Sequence, residues 1–575
     1  MYFSLEGLFA RSNLWFYGPL AVLVLVAWVW PLAGNRLFTA VEAWGARMAS
    51  HRTACCIATA ILLVALRLVL WPIDRAPVPR VSDEFSYLLA ADTFANGRVT
   101  NPTPPQWIFF ETIHVNVRPT YMSKYPPGQG AALAVGELLG HPWIGVLLSV
   151  ALMCSLATWM LQGWMPARWA LLGGLLAVLR FFFAAGYEMN YWLESYWGGA
   201  VPAIGGAVAL GALPRMLRQG RWRDGILFGT GVAVMANSRP YEGLVMCVPL
   251  AGALLWRLWR HHGAPTAVNT IRLLAPATSV LFLAGAFMAY YNWRGTGNAL
   301  LMPYAVNDRE YMSTPQFAWE SVGPPREYRN VQLSGMYNGW CRQTWRREQF
   351  RLSWDGIHWG LLRKLEVLQA FYLPGLMGLV ILVTWRRLLR NRKAVFLSAV
   401  CASVTVGLVP VVWFQRHYAA PMLAAAFGLS LMGLRYLRTW KPGGRPLGVG
   451  LSRAFVVLTL FFIPVNLRFA YQPVARTIQN GCSVWACDRD LFDSRLAAGP
   501  GRHLILVRYD EKHDPGQEWV YNKADIEQAK VVWAREIPGQ DMRPLLDHFK
   551  DRKVWLVEPG LHPTVLQDYT VPAAP

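Results

Sequence analysis

Val81-Ser82-Asp83-Glu84-Phe85-Ser86-Tyr87 follows closely on the apolar run 54–72, and Ser123-Lys124-Tyr125-Pro126-Pro127-Gly128 precedes the next run at 142–163. Adjacent carboxylates just past a hydrophobic span, in a loop that also carries Arg118 and Lys124, can both take up a proton and hold an anion. The sequence around that loop reads as scaffold. Of 575 residues, 54% are hydrophobic, 13% aromatic and 15% charged, whereas soluble domains carry about 25% charged residues. This is the composition of a polytopic membrane protein. The formal net charge of +21 does not point to nucleic acid, because Lys and Arg gather in short loops between apolar runs, where they set orientation.

Apolar runs of about 17–22 residues, each long enough for a ~30 Å hydrocarbon core, fall near 16–34, 54–72, 142–163, 169–185, 198–214, 224–238, 241–259, 272–291, 365–385, 394–413, 418–436 and 453–471. They predict a mainly α chain with about twelve spans. The basic loops share one parity: Arg47 and Arg52, then Arg168, Arg215 to Arg223, Arg257 to Arg272, Arg386 to Lys393, and Arg435 to Arg453. The positive-inside rule places them in the cytoplasm. The other side receives the long loops 73–141 and 292–364 and the tail from 472. The first run has no clear small-x-small cleavage site after it, so residues 1–53 read as an extra span and a cytoplasmic loop, with the amino terminus outside.

The tail 472–575 reads as a small extracytoplasmic α/β domain. His503–Val507, Val531–Trp533 and Val554–Val557 are strand-like, and Asp525–Lys530 and Leu545–Phe549 are helix candidates. Cys55, Cys56, Cys154, Cys247 and Cys401 lie in apolar runs and read as packing residues. Cys341, Cys482 and Cys487 fall on the outer side, where disulfides persist, and Cys482 with Cys487 brackets a tight loop as the expected bridge.

Asp83 and Glu84 carry two compatible readings. Ser82 suits a helix N-cap, acidic residues in the first turn complement the dipole, and Asn96-Gly97 stops the helix. A carboxylate on that mount also suits a general base for an acceptor hydroxyl. In Ser123–Gly128 two prolines and a glycine stiffen the re-entry into the membrane. There Lys124 either meets a phosphate or snorkels.

The order Asp83-Glu84-Phe85-Ser86-Tyr87, Ala95-Asn96-Gly97-Arg98 and Ser123-Lys124-Tyr125-Pro126-Pro127-Gly128 resembles the first outer loop of GT-C glycosyltransferases. Within that fold it is similar to the branch related to protein O-mannosyltransferases and the lipid A aminoarabinose transferase. The resemblance is strongest over 80–240 and does not include the tail. It implies a GT-C module over 54–471 and transfer of a sugar from a polyprenyl-phosphate donor on the outer face, with Asp83 matching the essential acidic residue and Glu84 beside it. The acceptor stays open between protein, lipid and polysaccharide, as does a divalent metal ion.

The residues themselves support a lipid-linked donor. Nucleotide sugars are cytoplasmic while the acidic loop is outside, and no Gly-x-x-x-x-Gly-Lys-[Ser/Thr] loop is present. Asp488-Arg489-Asp490 reads as a turn or cap rather than a metal-nucleotide site. Arg239 and the pair Arg416-His417 sit at outer ends of spans, against the positive-inside trend, and are candidates for the donor phosphate together with Lys124 and Tyr125. Arg239 with Glu242 also reads as a span-end ion pair. Glu194, in the aromatic stretch 186–197, and Tyr304 are candidate substrate contacts. A transporter or flippase, or a non-catalytic scaffold, is the alternative class. Together these features describe a multi-pass protein of a bacterial plasma membrane, active outside and surrounded by membrane lipids. Reporters inserted near residue 390 should read cytoplasmic, and those near 330 or 520 external; a cytoplasmic tail would overturn the assignment of Asp83 to the outer face.

Overall fold

The computed structural model describes residues 11–72, 75–182, 191–260, 264–461, 485–560 and 564–569. It is mainly helical with one small sheet. The apolar runs fall on helices α1 (Arg11–Val29), α3 (Arg52–Leu70), α6 (Pro142–Trp164), α7 (Ala167–Phe182), α8 (Ala200–Gln219), α9 (Trp222–Ala236), α10 (Pro240–Arg260) and α11 (Ala264–Thr296). After these come α13 (Arg363–Tyr372), α14 (Leu376–Leu389), α15 (Arg392–Leu408), α16 (Leu423–Arg438) and α17 (Leu447–Phe461). Between α1 and α3 lies α2 (Asn35–Ser50). By length and composition, five of the described helices can cross a membrane.

The expected span 365–385 is not straight. Trp354–Tyr372 and Leu376–Leu389 meet at 104°. Pro374 bars Leu373 from helical geometry and Gly375 takes φ 53°, a value that glycine tolerates best.

The segment between α3 and α6 is structured. It holds α4 (Ser82–Ala95), the hairpin strands β1 (Val115–Asn116) and β2 (Met122–Ser123), and α5 (Pro127–Leu138). Val81, rather than Ser82, caps α4, and no side chain bonds that cap. Helices α5 and α6 touch backbone to backbone, since a Cβ on Gly136 would stand 2.2 Å from Gly145 N and one on Gly145 2.1 Å from the Ala132 oxygen. Gly128 N donates to the Asn237 oxygen at 2.8 Å, which docks the Lys-Tyr-Pro-Pro-Gly turn on the chain leaving α9. From the second long loop, α12 (Pro303–Tyr311) joins the hairpin through Asn307 Nδ2, 3.0 Å from the Asn116 side-chain oxygen.

The tail contains α18 (Trp485–Ala498), β3 (His503–Val507), β4 (Val531–Arg535), α19 (Arg543–His548), β5 (Lys553–Val557) and β6 (Gln567–Asp568). The sheet order is β4-β3-β5-β6, parallel except for β6. Two expectations fail here. Asp525–Lys530 is a turn closed by the Asp525 carboxylate on Gln528 N. Asp488-Arg489-Asp490 lies inside α18, whose Phe492 and Leu496 are buried one helical turn apart, so the pairing that read as a turn is instead a helix face. Cys487 is disulfide-bonded, its expected partner Cys482 lies outside the described residues, and Cys341 is a buried free thiol.

The tail shares a core with the first long loop. Phe85, Leu89, Phe109, Phe110, Val115 and Tyr121 are buried together with Leu504, Leu506, Tyr521, Val532 and Leu556. Tyr521 stacks on Phe85 at 4.4 Å, and Ala524 N donates to the Asp92 carboxylate at 2.6 Å. Helix α4 is therefore gripped on one side by the tail and on the other by the helical bundle. Gly145→Val should force α5 away from α6, costing about 1–3 kcal/mol, the usual range for overpacking; a lowered melting temperature in detergent would show it.

Candidate active site

Asp83 and Glu84 occupy the first turn of α4 and diverge. Glu84 is buried and holds two backbone donors, Arg80 N at 3.2 Å and Tyr196 N at 3.0 Å. It ties α4 to the segment after residue 190 and sits among structural contacts. Asp83 faces the hairpin. The Tyr125 hydroxyl donates to its Oδ1, and His114 Nδ1 lies 3.6 Å from Oδ2. The Tyr125 hydroxyl is also 3.3 Å from His114 Nδ1, so the three side chains form a closed triangle.

The hairpin sets that triangle. Pairing of Val115 with Ser123 places His114 and Lys124 side by side, and Lys124 N donates to the His114 oxygen at 3.3 Å. The Ser86 hydroxyl donates to the same oxygen at 2.7 Å and meets the Ser123 hydroxyl at 2.8 Å. Ser123 Oγ accepts from Tyr125 N at 3.2 Å. Held this way, His114 keeps φ 65°, a backbone geometry uncommon for residues other than glycine and found disproportionately at functional sites. Tyr87 stacks on Tyr125 at 4.5 Å, which fixes the phenol that points at Asp83.

Burial opposes ionisation of Asp83. The nearby His114, hydrogen bonds from His114 and Tyr125, and the Lys124 charge more than offset it and hold the carboxyl well below its ordinary range. Burial and the Asp83 charge push the Tyr125 phenol well above its ordinary value, so it remains a proton donor. Burial and the Lys124 charge draw the His114 imidazole below its usual value, against the pull of Asp83.

Lys124 is buried, with Nζ 5.4 Å from the Tyr125 ring centroid, and that nitrogen makes no hydrogen bond or ion pair among the described residues. Arg239 lies over the Tyr418 ring at 4.2 Å and within electrostatic reach of Tyr87, Tyr125 and Glu242. It makes no close ion pair with Glu242 among the described residues. His417 is buried, with Nδ1 2.9 Å from the Tyr191 hydroxyl and Nε2 without a partner among the described residues. Tyr304, on α12, lies in the field of Glu242 and Arg239. The Arg416 oxygen accepts from the Tyr372 hydroxyl at 2.8 Å. The structure thus gathers Asp83, Lys124 and Tyr125, and brings Arg239, His417 and Tyr304 within electrostatic reach of that group or of one another.

Glu194 has a different environment. It pairs with Arg67 Nε at 3.3 Å, and Arg67, 1% exposed, lies over the Trp143 ring at 4.6 Å. That ion pair neutralises a buried arginine within the bundle. Among the described residues no group of three or more His, Cys, Asp or Glu could hold a metal ion, and Asp83 with His114 supplies only two donors. His114 was not singled out by the sequence reading. Its available signal is a titratable residue abutting the apolar Val115, whose strand pairs with Met122-Ser123 just before Lys124.

No family model matches the chain, and no curated protein matches it. Among the solved structures similar to it are three of two kinds of enzyme. The oligosaccharyltransferase of Archaeoglobus fulgidus tethered with an acceptor peptide has 13% identity and TM-score 0.44, over 88% of this chain and 68% of that one. ArnT from Cupriavidus metallidurans bound to undecaprenyl phosphate has 15% identity and TM-score 0.44, over 87% and 92%. The Archaeoglobus fulgidus oligosaccharyltransferase AglB, in complex with an inhibitory peptide and a dolichol-phosphate, has 12% identity and TM-score 0.43, over 88% and 69%. At that degree of likeness the comparison decides nothing about chemistry, which has to come from the side chains. Tyr125→Phe deletes one donor to Asp83 and should move its carboxyl pKa upward; infrared titration of the carboxylate band, with Asp83→Asn as the blank, reads the shift.

Proposed function

We propose that the chain is a membrane glycosyltransferase that moves a sugar from a polyprenyl-phosphate donor to an acceptor hydroxyl on the extracytoplasmic face. The observation that carries this reading is an ionised Asp83, oriented by Tyr125 and His114, beside a buried Lys124 that has no carboxylate of its own. Lys124 feels the Asp83 charge without pairing to it, and a bound phosphate would give this buried cation a close partner. Arg239, cushioned on Tyr418, adds a second cation, and the open Nε2 of His417 adds a hydrogen-bonding position.

In the proposed reaction the acceptor oxygen attacks the anomeric carbon as the bond from that carbon to the donor phosphate oxygen breaks. The acceptor proton passes to Asp83, and the electron pair of the broken bond leaves on the lipid phosphate, where Lys124 and Arg239 stabilise the growing charge. One displacement inverts the configuration. Asp83 is a weak base, which suits a late transfer, when the attacking hydroxyl has become acidic. Neutral His114 can then receive the proton. Two spans' worth of distance does not separate these groups: all belong to the hairpin, the first turn of α4 and the start of α10. About twelve spans, a bacterial plasma membrane, an external tail and the Cys482–Cys487 bridge complete the proposal. The sugar and the acceptor class are left to experiment.

The test is release of polyprenyl phosphate by the purified protein supplied with a lipid-linked sugar. Asp83→Asn should cut turnover by roughly 10² or more, the range for a lost general base, while the donor still binds. Lys124→Met should lower turnover more than donor affinity, since the phosphate carries more charge in the transition state than in the bound donor. Turnover should be flat above neutrality and fall on the acid side, as protonation of His114 removes its capacity to accept. His114→Asn should lower turnover and abolish that acid limb. Full activity in a folded Asp83→Asn protein would falsify the assignment.

A further inference from the structure

Helices that meet near Asp83 converge again at their other ends, around a cavity of about 410 Å³. Arg52 begins α3, Trp164 ends α6, Arg215 and Arg218 lie near the end of α8, Lys393 is in the first turn of α15, and Arg435 is in the last turn of α16; all six line it. Helix α3 starts here and leads to Asp83 after its far end, a rise of roughly 30 Å. The cavity therefore sits at the opposite membrane face, well outside the proposed reaction site.

Five cations line the cavity and no carboxylate does, among the described residues. Backbone carbonyls aim three of them. Arg215 donates to the Gly211 and Trp159 oxygens at 2.6 and 2.9 Å and lies 3.9 Å from the Trp159 ring centroid. Arg218 Nη2 donates to the Gly163 oxygen at 2.5 Å, and Lys393 Nζ to the Trp164 oxygen at 3.3 Å. Asp224 acts on Arg215 from outside the lining. The side chains of Arg52 and Arg435 make no hydrogen bond or ion pair among the described residues. Two other basic residues of this face are paired: Glu42 meets Arg438 at 2.7 Å and Arg453 at 3.1 Å. The positive-inside tendency accounts for basic residues on one side. It does not account for four basic helix ends converging on a single hollow with no carboxylate in its lining.

We propose that this cavity binds a phosphate group, that of an anionic phospholipid headgroup in the adjoining leaflet. Basic pockets between membrane helices on the cytoplasmic side take such headgroups. Trp164 and Met165, both buried, close the cavity behind the cations. The inference stands apart from the glycosyl-transfer reading and does not depend on it.

The full-length protein in nanodiscs of pure phosphatidylcholine, or with about a quarter of it replaced by phosphatidylglycerol, provides the test. Phosphatidylglycerol should raise the melting temperature of the wild type, and Arg52→Gln/Arg435→Gln should lose more than half of that rise. Arg386→Gln/Arg390→Gln, two exposed cations of the same face outside the cavity, should keep it. Native mass spectrometry should count one retained phosphatidylglycerol per wild-type protein and none on the cavity variant, which reads binding independently of stability. If inorganic phosphate in phosphatidylcholine nanodiscs produces the variant-sensitive rise and phosphatidylglycerol does not, the phosphate site stands and the lipid assignment falls. No rise with either, or equal loss in both double variants, overturns the proposal and leaves the five cations as an orientation signal.

Discussion

The carboxylate of Asp83 is kept charged in a place that disfavours charge, and most of the surrounding architecture follows from that requirement. Burial raises the energy of the ion, so donors must be supplied and held still. Tyr125 is one, fixed by stacking on Tyr87 and by the prolines that follow it. His114 is the other, fixed by a hairpin two residues long on each strand and by two donors to its carbonyl oxygen. Glu84 completes the mount from a neighbouring face of the helix by gathering the backbone of Arg80 and Tyr196. Adjacent acids in one helical turn thus divide the work: one is exposed to chemistry and the other anchors the turn.

A mount of this kind has to be stiff, and helix α4 by itself is only 14 residues long. Its stiffness comes from contact on both flanks. Phe85 and Leu89 enter the core shared with the sheet, while Tyr87 and Ala91 enter the core of the membrane bundle. Arg489, at 4.9 Å from the Phe85 ring and 4.8 Å from that of Trp533, closes the tail side of the joint. The tail is therefore part of the support for Asp83.

Much of this was legible before any coordinates. Long apolar runs mark helices because a run of that length has few other ways to satisfy its backbone, and strands β3, β4 and β5 announce themselves as short β-branched stretches. The prominence of Asp83, Lys124 and Tyr125 came from local order in the sequence, which survives folding. What was not legible depends on distant partners. Glu194 reads as a free acid until Arg67, far away in the chain, is placed beside it. Asp488 and Asp490 read as a turn until the apolar residues of α18 find the sheet. His114 shows nothing until pairing of Val115 with Ser123 brings it to Asp83. The bend at Leu373–Gly375 was readable from Pro374-Gly375, but hydrophobicity alone overrode that signal.

The joint between Phe85 and Tyr521 has a temporal consequence. The two rings stack face to face at 4.4 Å although more than four hundred residues separate them. During synthesis the first long loop emerges long before its partner, and contacts this distant in the chain form late and slowly. Through that interval Phe85, Phe109 and Phe110 have no sheet to cover them, which makes the nascent loop a natural client for chaperones. The same delay acts as an assembly checkpoint: the helix that carries Asp83 reaches its final rigidity only after the last strands of the tail have been made, so a truncated chain inserts its helices without acquiring a finished site.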